Sequence, residues 1–120
     1  MSPVNKVIIS GNISGEPVLR HTASGKAVLN FTIGNDQVRR VGGQLDSKTN
    51  WFDCTLWADK AERGAEMLQK GSEVLVIGKL NERLYTDSQQ RRRRQVEIVA
   101  DDFTLIRQPA RAQEQLTVSP

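Results

Sequence analysis

Residues 50–57, Asn-Trp-Phe-Asp-Cys-Thr-Leu-Trp, can bury only one of their two faces. In a strand, Phe52, Cys54 and Leu56 point one way as an unbroken apolar row, while Trp51, Asp53, Thr55 and Trp57 point the other way and mix two large rings with polar groups. The segment therefore calls for a sheet with one face on a core and the other wet. The rest of the chain supplies candidates for that sheet. A strand over 4–9 meets Gly11, which predicts a bulge that bends the chain and lets it continue through 17–22. Ser24-Gly25-Lys26 reads as a turn, and 27–34 follows as a strand with Leu29, Phe31 and Ile33 on one face. Residues 35–50 are polar and hold Arg39, Arg40 and Gly42-Gly43, which predicts a long mobile loop. Strands at 73–80 and 95–106 complete the set, separated by a polar excursion at 81–95 that reads as a protruding hairpin tip.

A helical period takes over once, at 59–70. Ala61, Ala65 and Leu68 fall at i, i+4 and i+7, Asp59 and Glu62 have capping-box spacing, and Gly71 stands where a C′ glycine belongs. Gly64 inside this helix costs about 1 kcal/mol relative to Ala. The order β-β-β-α-β-β makes the chain mainly β. It suits a five-stranded, partly closed Greek-key barrel of the oligonucleotide-binding type, the OB-fold, with one helix between strands 3 and 4. A generic α+β sheet domain shares the same order. A chain of 120 residues can bury a core as a single domain without disulfides or metal. The domain is expected at 1–106, and 107–120, with two prolines and three glutamines, reads as a short disordered tail.

One cysteine and one histidine cannot make a Cys/His zinc site of about four ligands, and no intrachain disulfide is available. A reducing, cytoplasmic setting is the simplest expectation. The aliphatic run Val74-Leu75-Val76-Ile77 falls far short of the roughly 20 residues of a membrane helix, and the N-terminus shows no secretory signal. Phosphate-loop, zinc-protease and nucleophile-elbow motifs are all missing, so no catalytic residue, metal or cofactor is expected.

What remains is charge and aromatics. The chain carries 17 Lys+Arg against 14 Asp+Glu, a net +3. Residues 79–94 alone hold Lys79, Arg83, Arg91, Arg92, Arg93 and Arg94 against Glu82 and Asp87, a net +4 from six basic and two acidic residues. Tyr85 lies within that stretch. Basic side chains interleaved with an aromatic on a projecting hairpin suit a phosphate backbone. Trp51 and Trp57 on a wet strand face suit base stacking, although one or both rings filling a core or a subunit contact would look the same in sequence. Arg39 and Arg40 form a weaker basic pair. Lys6, Arg20 and Lys70 are isolated, Lys70 being set to pair with Glu66 along the helix, and His21 reads as a surface residue. Single-stranded DNA, RNA and a protein partner all remain open to such a face.

Beyond these local patterns, ordered segments resemble one known family. Val4-Asn5-Lys6-Val7-Ile8-Ile9-Ser10-Gly11-Asn12, Glu16-Pro17-Val18-Leu19-Arg20, Trp51-Phe52, Leu56-Trp57, Leu68-Gln69-Lys70-Gly71-Ser72 and Val76-Ile77-Gly78-Lys79-Leu80 resemble the bacterial single-stranded-DNA-binding protein family, and the resemblance runs to Ile106. It implies an OB-fold that coats single-stranded DNA in replication, recombination and repair, commonly as a homotetramer. It further implies base stacking by Trp51, Trp57 and Tyr85, and phosphate contacts by Lys6, Arg20, Lys70 and Arg83. Three features depart from the family pattern. Residues 38–41 lack an aromatic, Asp53 stands where a basic residue is usual, and the last residues carry no acidic tip, so tail-mediated recruitment of other replication proteins is not expected.

Overall fold

The computed structural model describes residues 2–109. Five strands, β1 (Val7–His21), β2 (Ala27–Val41), β3 (Gln44–Trp57), β4 (Glu73–Thr86) and β5 (Arg92–Arg107), close into a barrel in the order β1-β2-β3-β5-β4. A single helix, α1 (Asp59–Met67), lies between β3 and β4. All pairings are antiparallel except a short parallel contact between β3 and β5 at Cys54–Ile98 and Thr55–Val99. β1 closes the barrel because it serves two neighbours, residues 7–12 pairing with β4 and residues 12–21 with β2. Its register shifts between Ser14 and Val18, across Gly15-Glu16-Pro17, so the bulge lies there and not at Gly11. Gly11 answers to a close approach instead, since a Cβ on it would sit 2.6 Å from the Gly34 carbonyl oxygen.

The core takes the inward residues of every strand: Ile13, Leu29, Phe31, Ile33, Cys54, Leu56, Val74, Val76, Ile98 and Phe103 are buried, with Phe52 packed at its margin. α1 seals it with Ala61, and Leu68, just past the helix, adds its side chain. A Cβ at Gly64 would meet Leu29 at 2.8 Å and Leu56 at 3.0 Å, so this helix-weakening glycine is what lets α1 lie close on the barrel.

Both ends of α1 differ from the sequence expectation. Ala58, with φ 58°, is the N-cap residue, and no side chain caps the helix; Asp59 is its first residue. The Ala58 amide donates to the Ala27 carbonyl (2.8 Å), which ties the residue after β3 to the start of β2 and sets the turn into the helix. The helix ends at Met67 because Leu68 becomes extended to bury its side chain, and the next residues are tied to β1. The Gly71 amide donates to the Ile13 carbonyl and the Ile13 amide to the Ser72 carbonyl, both at 2.8 Å. Gly71 is therefore a turn residue beyond the helix, and Lys70 lies outside the helix too, so its i, i+4 spacing from Glu66 does not stack the two side chains along one helical face.

Residues 35–50 form no loop. β2 and β3 pair without interruption from Val28–Trp57 to Val41–Gln44, and Gly42 and Gly43, at φ 57° and 82°, make the two-residue turn. Thr49 Oγ1 donates to Asp36 Oδ1 (2.6 Å), and Arg39 pairs with Asp46 (3.7 Å) across this ribbon. The 81–95 excursion is likewise regular ladder, with a turn at 87–91. β5 reaches Arg107, one residue past the predicted end, and most of the predicted tail, 110–120, lies outside the described residues.

Candidate nucleic-acid interface

The pairing sets side chains from five strands in rows on one outer face. Val28, Asn30, Thr32 and Gly34 of β2 lie opposite Trp57, Thr55, Asp53 and Trp51 of β3, and on the other side opposite Arg20, Val18, Ser14 and Asn12 of β1. Past β3, Glu97, Gln95 and Arg93 of β5 lie opposite Asn81, Arg83 and Tyr85 of β4. Asp53 stitches the two halves, accepting from Thr32 Oγ1 (2.8 Å) and from Gln95 Nε2 (2.5 Å).

Trp51 is 61% exposed, Tyr85 43% and Trp57 41%, so none of the three is core. Trp51 lies over Gly34, where a Cβ would come within 2.8 Å of its ring. Lys26 Nζ stands 5.7 Å from the centre of the Trp57 ring, and the Arg83 guanidinium 6.0 Å from that of Tyr85. A cation beside each of these rings puts phosphate-attracting charge next to a stacking surface. Between the rings the floor is polar. Arg20 Nη2 donates to Asn30 Oδ1 (2.5 Å), Asn30 Nδ2 to Thr55 Oγ1 (3.0 Å), Thr55 Oγ1 to Glu97 Oε2 (3.5 Å), and Asn81 Nδ2 to Glu97 Oε1 (3.3 Å).

The structure divides the predicted basic residues. Arg20 and Arg83 line the two clefts that flank this floor, and alternation along β4 places Lys79 on the same side as Arg83 and Tyr85. Lys6, before β1, and Lys70, after α1, are exposed but line neither cleft; the same holds for Arg39 and Arg40 on the β2–β3 ribbon. The four consecutive arginines are not one patch, because alternation along β5 sends Arg93 to the aromatic side and Arg92 and Arg94 to the other. Most of their charge is also met internally. Arg91 and Arg93 bond Asp87 at 3.2 and 3.0 Å, and Arg94 bonds Glu82 at 3.0 Å; among the described residues only Arg92 of the four has no ion pair. Hydrogen bonds from the Arg91 amide, the Arg93 side chain and the Gln89 amide hold the Asp87 carboxyl below its ordinary range.

Lys26, Asn30, Gln95 and Glu97 were not singled out in the sequence. Alternation had already set Asn30 on the wet face of its strand, but only the register carries Lys26 to Trp57 and Glu97 to Thr55. Among the described residues no group of three or more His, Cys, Asp or Glu is placed to hold a metal ion, and no helix is long and apolar enough to cross a membrane.

The profile of the "Single-strand binding protein family" matches residues 4–106. A "Single-stranded DNA-binding protein" of Mycobacterium leprae is 34% identical over 100 residues, covering 81% of this chain and 60% of that protein. Its Deinococcus radiodurans namesake is 35% identical over 98 residues, covering 81% of this chain and 32% of its own length. The chain thus spans about 60% of the length of the mycobacterial relative. In three dimensions it is similar to "Plasmodium falciparum SSB complex with ssDNA", with a TM-score of 0.79 at 22% identity over 88% of this chain and 97% of that one. At that identity the likeness establishes the OB-type fold.

Proposed function

The chain belongs to the single-strand binding protein family, and on that premise we propose that it binds and protects single-stranded DNA, without requiring a sequence motif, in replication, recombination and repair. The observation that carries this reading is the set of three exposed rings, Trp51, Trp57 and Tyr85, on one continuous barrel face, two of them beside a cation. Bases stack on the rings, each stack contributing about 1–3 kcal/mol. Arg20, Lys26, Lys79, Arg83 and Arg93 take the phosphates nearest the rings. Arg39, Arg40, Arg91, Arg92 and Arg94 on the two ribbons, with Lys6 and Lys70, extend the path. The role is one of binding without catalysis, in the cytoplasm, carried by residues 1–106.

Assembly into a homotetramer belongs to the same proposal. Its support is apolar surface that a lone chain leaves in water, Ile8, Leu80, Leu84 and Val96 among it. A solution mass of one chain at micromolar concentration would count against it.

The central test is titration of tryptophan fluorescence with single-stranded DNA at several salt concentrations. Quenching is expected, with log K falling by about 0.7 per phosphate contact for each tenfold rise in salt. No quenching, or an affinity indifferent to salt, removes the stacking or the electrostatic half respectively.

A further inference from the structure

We propose that the free edge of β3 pairs antiparallel with the same edge of a second copy of this chain, about a two-fold axis at Ser47. The contact lies along the side of the β2–β3 ribbon. It is independent of DNA binding and of the apolar surface assigned above to the tetramer.

For most of its length β3 has a neighbour on one side only. β2 covers it from Gln44 to Trp57, whereas β5 meets it only at Cys54 and Thr55. Main-chain groups along such a strand alternate between its two edges. The Ala58 amide reaches the Ala27 carbonyl in the register of the β2–β3 ladder, so even-numbered residues of β3 turn their amides and carbonyls to β2 and odd-numbered residues turn theirs away. Leu45, Ser47, Thr49 and Trp51 therefore present a row of main-chain donors and acceptors that, among the described residues, bond to nothing. Neither a register shift nor a proline interrupts this row. An edge so regular is a template for another strand unless charge blocks it.

Charge here selects the partner. Asp46 and Lys48 flank Ser47 on one face of β3, and both are exposed. Among the described residues Lys48 has no ion pair, and Asp46 meets only Arg39, at 3.7 Å. With Ser47 opposite its own copy, Asp46 faces the partner's Lys48 and Lys48 faces the partner's Asp46. On the other face Leu45, 70% exposed, lies beside the partner's Thr49. The outward main chain then closes about six hydrogen bonds across the axis. The next registers that keep those bonds set lysine against lysine or aspartate against aspartate, and like charges directly opposite repel. An unrelated strand would have to match acid to base at this spacing, whereas a second copy does so by symmetry. Pairing along the edge leaves both faces of the ribbon, and Trp51, uncovered.

Sedimentation of the full chain without DNA, at low salt and over a rising concentration series, tests this. Particle mass should rise about twofold or more for the wild type, because each pairing joins two equal particles. Ser47→Pro removes an outward N–H and no bond to β2, so it should fold, with melting temperature as the check, and keep a constant mass. Asp46→Lys alone and Lys48→Asp alone set like charges opposite each other and should also keep a constant mass. The double exchange, Asp46→Lys with Lys48→Asp, restores opposite charges across the axis and should regain the rise. The Arg39–Asp46 pair is lost in the double exchange as in Asp46→Lys alone, so recovery reports the contact between copies and not the stability of one ribbon. Should Ser47→Pro melt early, the charge series decides alone. A wild-type mass that does not rise, a rise that persists in a folded Ser47→Pro or in both single charge variants, or a double exchange that fails to regain it overturns the pairing. Mass at the dilute end of the series, and DNA affinity, report on the tetramer and on the stacking face separately.

Discussion

Gly34 decides how Trp51 lies on the sheet. Strand alternation alone sends the ring outward, but whether it stands up or lies down depends on the residue paired with it, and a Cβ at 34 would come within 2.8 Å of the ring and 3.3 Å of the Thr49 methyl. Gly34→Ala is therefore expected to lift the ring, shifting its fluorescence and weakening DNA binding by about 1 kcal/mol while the barrel still folds. Unchanged fluorescence and affinity would show that the ring has room. Trp57→Ala removes a ring that is 41% exposed and contributes little to the core. It should cost about 1–3 kcal/mol of binding and leave the melting temperature nearly intact. A variant that unfolds while still binding DNA would place Trp57 among the structural residues. At this scale the sequence was informative about direction and silent about neighbours: Trp51 and Trp57 could be assigned to one face, yet nothing in their own segment distinguished a wet face from a subunit contact.

The elements that departed from expectation are the β2–β3 ribbon, where cross-strand pairing prevailed, and the ends of α1, where contacts with other strands prevailed. Residues 35–50 lack an apolar face because the ribbon rises beyond the barrel and both its faces are wet; the ladder and the Gly42-Gly43 turn hold it without a core. Only the diglycine hinted at this, being a strong turn signal once the flanking residues are taken as strands. The β4–β5 ribbon is held at its tip by Asp87, which accepts from the Gln89 and Arg91 amides, both at 2.9 Å, and from two arginine side chains. Because folding lowers the Asp87 pKa, its stabilising effect is present above the ordinary aspartate range and is lost as pH falls through the lower, folded value. Amide resonances of residues 89–91, followed during acid titration, should hold their tip-bound positions below pH 3.8, the ordinary value. A midpoint at or above it means that Asp87 does not order the tip.

Across the whole molecule, the closed barrel puts Cys54 in the core, 1% exposed, and burial there pushes its thiol pKa from 9.0 up to about 12, with the neighbouring Asp53 charge adding to the rise. The folded state thus retains a proton that the unfolded state releases, so this group makes stability fall as pH climbs from about 9 to about 12. Alkylation of Cys54 should proceed only at the rate of global unfolding, and Cys54→Ala should flatten the alkaline loss of stability. Rapid labelling of the folded protein would contradict the closed core. By itself, the sequence determined the strand count, the single helix, the inward rows of Leu29, Phe31, Ile33, Cys54 and Leu56, and the side on which the two tryptophans emerge. Those follow from the period of side chains along one segment, which is local physics. Tertiary structure alone decided the register that brings Lys26 to Trp57 and Glu97 to Thr55, the division of Arg91–Arg94 between two faces, and the point at which α1 gives way to bonds with β1. Register is a relation between segments, set where one buried face meets another, and no single segment contains it.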